Sequence, residues 1–177
     1  MMKKTILLLA LSLVLVLSQG ALAEAGFTAF TAPDLEGNEV DQSIFADYDL
    51  TMINIWATFC GPCLNEMPDL GELAAAYAEK GVAIVGIVAD VPPKADGSFD
   101  PAMVAMVQEL VELTGADYLH LLPSADLIAA KLGQVSAVPE TLFVDSQGRQ
   151  VGDSYIGSRS GEAWAAIIDE LLEQVKE

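Results

Sequence analysis

The chain has 177 residues, the length of one domain, and carries 8 lysines and arginines against 26 aspartates and glutamates, a formal net charge of −18. Acids spread along residues 24–177 make a solvated surface that repels nucleic acid and anionic lipid, so neither is an expected partner. With two cysteines and one histidine, a zinc site of about four ligands is not expected, so no metal is assigned.

Residues 1–23 read as a secretory signal. Lys3 and Lys4 form a basic start, residues 6–17 an apolar stretch broken only by Ser12, and Ala21-Leu22-Ala23 a small-x-small cleavage site. The apolar run falls short of the roughly 20 residues that cross a bilayer, so an uncleaved anchor is the lesser alternative. No cysteine lies near the site, which excludes a lipidated N-terminus, and no later segment is long and apolar enough to span. Cleavage after Ala23 removes two lysines and no acid, which takes the net charge from −18 to −20. The protein is therefore expected to be exported, periplasmic or otherwise extracytoplasmic, and membrane-anchored if the signal stays. Residues 24–177 are then one domain.

In residues 24–31, Phe27 and Phe30 are expected to pack as a strand. Leu35 and Val40 flank the turn Glu36-Gly37-Asn38, a small hairpin. Asp41-Gln42-Ser43 can cap a short helical turn through Ala46. Residues 51–57 are apolar on both faces, as in a buried parallel strand. After Cys60-Gly61-Pro62-Cys63 comes a helix over 64–80, with Met67, Leu70, Ala74 and Tyr77 facing the core and Pro68 expected to kink it. Gly81 stops it, and 82–88 is the next buried strand. Strand, helix and strand make a right-handed parallel crossover.

Residues 89–99 form a polar loop at the sheet edge that also delivers Cys60. It reads either as a rim that selects the partner or as an ordinary surface connection. Asp100-Pro101 opens a helix through Thr114 with Met103, Met106, Val107, Leu110 and Val111 inward, the methionines as core filler. Residues 118–122 form a short strand whose His120 is expected to be structural. A short helix over 124–132 ends at Gly133. Strand 141–145, the turn Ser146-Gln147-Gly148 and strand 149–156 make a second hairpin. The last helix points Trp164, Ile167, Ile168, Leu171 and Leu172 inward.

The chemistry centres on the C-x-x-C at the strand-to-helix junction. Cys60 caps a helix N-terminus, where unpaired N–H groups and the dipole favour a thiolate. Cys63 lies one turn inside, close enough to form a disulfide and release whatever Cys60 has attacked. As a staple the pair would close a loop of only four residues, a small gain in chain entropy, so chemistry explains it better than stability does. Haem attachment needs histidine where Leu64 stands.

Strand, C-x-x-C, helix, strand, then X-Pro before a hairpin and a closing helix resembles the thioredoxin fold. This is an α/β architecture with a central mixed sheet flanked by helices. Asn54-Ile55-Trp56-Ala57-Thr58, Cys60-Gly61-Pro62-Cys63, Glu66-Met67-Pro68, Val138-Pro139 and the N-terminal hairpin extension make the finer resemblance, to the exported TlpA/ResA-like thiol-disulfide oxidoreductases. The resemblance implies catalytic roles for Cys60 as attacking, Cys63 as resolving and Glu66 as proton-exchanging residue. It implies a cis Pro139 facing the cysteines, and a substrate surface of Val138, Pro139, Trp56, Phe59, Gly61 and Pro62. No cofactor is implied beyond the redox-active Cys60–Cys63 disulfide. The implied partners are a protein substrate bearing a disulfide and a membrane thiol-disulfide transporter as electron donor, with the protein a monomer. Apocytochrome c, and with it cytochrome c biogenesis, or an exported redox enzyme with an antioxidant role such as a methionine sulfoxide reductase, are the implied substrates.

The chain departs from cytosolic thioredoxins, which have aspartate at Asn54 and tryptophan at Phe59. Asn54 cannot serve as a buried base, which shifts proton work to Glu66 or water. Gly61-Pro62 is the thioredoxin dipeptide and suggests a reducing poise. A peroxiredoxin-like thiol peroxidase is the alternative, although Phe59 and Gly61-Pro62 do not fit that pattern.

Overall fold

The structure is a computed structural model that describes residues 26–176. The expected signal over 1–23 lies outside the described residues. A hairpin of β1 (Thr31–Pro33) and β2 (Glu39–Asp41) precedes a five-stranded sheet. That sheet contains β3 (Leu50–Trp56), β4 (Val82–Val88), β5 (Leu119–Leu121), β6 (Glu140–Asp145) and β7 (Gln150–Ile156), in the order β5-β4-β3-β6-β7. β3, β4 and β5 are parallel, while β6 runs antiparallel to β3 and β7. The helices are α1 (Gly61–Tyr77), α2 (Pro101–Thr114), α3 (Ala125–Ala130) and α4 (Gly161–Lys176). This is the mixed, helix-flanked sheet with an N-terminal hairpin that the pattern implied.

All seven residues of β3 are buried, and strand alternation sorts them. Leu50 and Met52 meet α1 and α4 through Leu70, Tyr77, Trp164 and Ile168. Ile53 and Ile55 meet Phe27, Phe30, Phe45 and Leu127 on the opposite face. Trp56, at the end of the strand, joins Cys63, Met67 and Val107 of α2 in a third cluster under the cysteines. By the same parity Asn54 faces α1.

Four local expectations change. Phe27 and Phe30 form no strand. Gly26 makes only an isolated bridge to Arg149, and the two rings pack edge to face at 6.3 Å as core filler. The hairpin closes at Pro33 and Glu39, which leaves Leu35 inside the turn. Asp34 organises that turn by accepting from the Glu36 and Asn38 amides at 2.9 and 2.8 Å. Met106 is 41% exposed, because Val107 is the fully buried residue of α2 and its neighbours at helical spacing are Met103, Val104, Leu110 and Val111. The helix from Ser124 ends at Ala130 rather than running on to Gly133, which sits in a 3-10 turn, Leu132–Gln134. Lys131 leaves the helical conformation between them and pairs with Glu140 of β6. α1 meanwhile continues through Pro68.

His120 is built into the core, as a lone histidine in an apolar strand should be. Its Nδ1 accepts from the Trp56 indole N–H at 3.3 Å, which places the proton on Nε2, 3.1 Å from the Ala116 carbonyl. Tyr118 stacks on the ring at 4.4 Å. Gly86, paired with His120 across β4 and β5, makes room for it, since a Cβ there would lie 2.2 Å from Nδ1. Gly86→Ala is therefore expected to destabilise the fold by about 1–3 kcal/mol. Urea unfolding should show a lower midpoint at unchanged slope; an unaltered midpoint would mean that the ring is not fixed by this contact.

Candidate active site

β3 delivers the chain to the sheet edge, and Ala57-Thr58-Phe59 turns it into α1, with the Cys60 amide donating to the Ala57 carbonyl at 3.0 Å. Cys60 is the N-cap in extended conformation, and Gly61 and Pro62 open the helix. Proline here forfeits an N–H that would have no helical partner. The Cys63 amide points at Cys60 Sγ, 3.2 Å away. The sulfurs are joined in a disulfide, with the Cα atoms 5.2 Å apart. Cys60 is 6% exposed and Cys63 fully buried, so an incoming group reaches Cys60 first. Once the bond opens, the helix N-terminus and the Cys63 N–H favour negative charge on Cys60.

The facing wall comes from the segment before β6. Val138-Pro139 is cis, and the Val138 carbonyl oxygen lies 3.6 Å from Cys60 Sγ. Pro139 is buried, and its carbonyl accepts from the Gly157 amide at 2.9 Å. Phe59 is 79% exposed beside the disulfide, and Gly61 and Pro62 are exposed as well. Trp56 is a correction to the expected substrate surface: it is fully buried. It ends a strand buried on both faces, and its indole is committed to His120, so it supports the cysteine cluster from behind.

Glu66 is 2% exposed, one turn beyond Cys63 on α1. Its carboxyl is held from three sides. Asn54 Nδ2 donates to Oε1 at 3.0 Å, and the Arg159 amide and the Trp164 indole donate to Oε2 at 3.0 and 3.1 Å. Burial pushes the carboxyl above its ordinary range, and these donors with the Arg159 charge hold it back only in part. Asn54 also donates to Thr141 Oγ1 at 3.0 Å, which ties β3, α1 and β6 together. Arg159 lies over the Tyr155 and Trp164 rings, at 4.9 and 5.0 Å.

The expected residues except Trp56 thus converge on one edge, with Glu66 beneath them. Three features escaped the sequence reading. The Asn54–Glu66 bond was foreshadowed by an amide in the middle of an apolar strand, which has to find a partner. The Trp164 bond follows from an indole on a core-facing stripe. Asp90 gave no signal. It accepts from the Thr58 amide at 3.0 and 3.1 Å and from the Thr58 hydroxyl at 2.6 Å, and so pins the loop that carries Cys60. Among the described residues no group of three or more His, Cys, Asp or Glu could hold a metal, and no helix is long and apolar enough to cross a membrane.

A disulfide on a helix start, set against a cis-proline at the edge of a mixed sheet, defines the class: a thiol-disulfide oxidoreductase on a thioredoxin fold. The Redoxin family model matches residues 22–166. The chain belongs to that family and is a ResA/TlpA-like member of the thioredoxin superfamily. It is 29% identical over 154 residues to the thiol:disulfide interchange protein DsbE of Pseudomonas fluorescens, covering 85% of this chain and 78% of that one. Over 67 residues it is 46% identical to the thiol-disulfide oxidoreductase ResA of Oceanobacillus iheyensis, a match that covers 33% of this chain and 35% of the relative. A crystal structure of a thioredoxin-family thiol:disulfide interchange protein from Chlorobium tepidum superposes with a TM-score of 0.68 at 20% identity, over 84% of this chain and 97% of the other.

Stability should depend on pH through His120. Burial pulls its imidazolium down to about 4 from 6.5, against the opposing hydrogen bond to Ala116. The unfolded chain then takes up the proton first. Stability is full above pH 6.5 and falls as pH drops toward 4, by about 3 kcal/mol in all. Glu66 slopes the other way, because its raised carboxyl loses stability as pH rises above the ordinary value. The difference in unfolding free energy between the wild type and His120→Gln, followed from pH 7 to 4, isolates the histidine. Parallel curves would show that its protonation is not coupled to folding.

Proposed function

We propose that this protein is an exported dithiol reductant of protein disulfides. The observation that carries the reading is the Cys60–Cys63 disulfide at the start of α1, 3.6 Å from the Val138 carbonyl. In the reduced protein, Cys60 thiolate attacks one sulfur of a substrate disulfide. The substrate S–S bond breaks, its other sulfur leaves as a thiolate, and a mixed disulfide with Cys60 forms. Cys63 then gives up its proton and attacks Cys60 Sγ. The mixed disulfide breaks, the substrate leaves with both cysteines reduced, and the two electrons lost by the protein appear as the Cys60–Cys63 bond. Glu66 receives the Cys63 proton, a role that its burial and raised pKa support. Val138 and Pro139 form the wall along which the substrate chain lies, with Phe59, Gly61 and Pro62 on the near side.

The pattern in residues 1–23 supports a periplasmic or other extracytoplasmic location, anchored if the signal is retained. In an oxidising compartment the disulfide has to be reduced again, and a membrane thiol-disulfide transporter fits as donor. Apocytochrome c cysteines or an exported redox enzyme fit as substrates, and the protein acts as a monomer with no cofactor beyond its own disulfide. The thiol peroxidase alternative gains nothing from relatives that are themselves oxidoreductases of thiols and disulfides.

Cys63→Ser should trap substrate on Cys60 as a mixed disulfide that reductant releases, while Cys60→Ser traps nothing. Capture by Cys60→Ser equal to that of Cys63→Ser would overturn the assignment of the two sulfurs. Glu66→Gln should slow turnover on the order of 10²-fold and remove one limb of the pH–rate profile. An unchanged profile would take Glu66 out of the mechanism.

A further inference from the structure

Beside the disulfide lies a cleft of about 260 Å³ that shares Val138 with the cis-proline wall and also takes in Leu132, Val135 and Asp90, which the exchange chemistry does not use. Phe59, Leu132, Val135 and Val138 supply its apolar lining, and Asp90 supplies a carboxylate to the same wall. Sites for whole small molecules run to roughly 300–1,000 Å³, so this one has room for a single long side chain. It opens next to Cys60, since Phe59 and Val138 flank the disulfide and the cleft alike.

The Asp90 carboxylate decides which side chain fits. Thr58 occupies it with one amide and one hydroxyl. Two carboxylate oxygens offer about four acceptor positions, so acceptor capacity remains. Among the described residues no cation lies within salt-bridge distance of it; the ion pairs are Lys131–Glu140, Arg149–Asp145 and Lys176–Asp49. A half-buried anion in the wall of a mainly apolar cleft suits a side chain with an apolar stem and a positive tip. The exposed Phe59 ring adds a face that attracts a cation, and the net charge of −18 draws basic chains toward the protein.

We propose that this cleft is a specificity subsite for a lysine or arginine that flanks the reactive cysteine of a protein substrate. The stem lies on Leu132, Val135 and Phe59, and the charge lies on Asp90. The inference rests on the exchange reading above and names the substrate class that the site prefers.

The test uses reduced Cys63→Ser protein and short peptides whose single cysteine is joined to 2-mercaptoethanol, a neutral partner. One peptide has lysine beside the cysteine, one norleucine, and one norleucine there with lysine six residues away. The readout is the rate of peptide capture on Cys60 at about 0.15 M salt, where long-range attraction is screened. Adjacent lysine should react about tenfold faster than either other peptide. That ratio should fall toward one when Asp90→Asn is added. It should also fall with Ser136→Lys, which places a cation at the mouth of the cleft and leaves the Asp90–Thr58 bonds in place. A ratio that survives both substitutions overturns the proposal, as does norleucine matching adjacent lysine, which would make the cleft apolar only. Failure to capture any peptide would sink the exchange chemistry itself, and the subsite with it.

Discussion

A carboxyl group placed under an apolar core has to be met by donors, and Glu66 is met from three elements at once. Asn54 comes from β3, the Arg159 amide from the turn before α4, and the Trp164 indole from α4 itself. Asn54 passes the tie on to Thr141 of β6. Leaving any buried member without its partner costs about 1–3 kcal/mol, so these contacts hold as a set. They fix the start of α1 against the sheet, and the start of α1 is where the two sulfurs sit.

Two acidic side chains bracket the disulfide in different settings. Glu66 is sealed beneath it, where burial favours the neutral acid and suits it to carrying a proton. Asp90 stands half-exposed at the rim, holds the loop before Cys60 by way of Thr58, and still faces the open cleft. The chemistry therefore has a dry side and a wet side, separated by the first turn of α1.

Much of this was legible in the sequence because it depends on local pattern. The apolar runs of β3 and β4, Pro62 at a helix start and Gly81 at its end locate the crossover and the cysteines. Asn54 stands out as the one amide in the apolar run of β3, a polar group that needs a partner, although the partner itself, Glu66, is not marked locally. What escaped depends on distant partners. Asp90 and Thr58 are 32 positions apart, and nothing local marks either. The burial of Trp56 follows from His120, which lies 64 positions away, and from Gly86, whose missing side chain admits the ring. Phe27 and Phe30 have strand-forming side chains but fill the core from an irregular segment, because Gly26 pairs with Arg149 only once. The cis geometry at Pro139 came from resemblance, since cis is a minority state for X–Pro bonds in general.

The bond between Asp90 and Thr58 also divides the loop after β4. On its near side, Ala89 donates to the Trp56 carbonyl at 2.8 Å and moves with the sheet. On its far side, Val91 and Phe99 pack into the cysteine cluster, and between them residues 94–98 close their own turn, with Lys94 and Ser98 bonded at 2.7 Å. The clamp works as a bulkhead. Between the Val91 and Phe99 anchors, insertions, deletions or new contacts in residues 94–98 can remodel the outer rim while Cys60 stays where the sheet has put it, so the surface that greets a partner is free to diverge under a fixed chemistry.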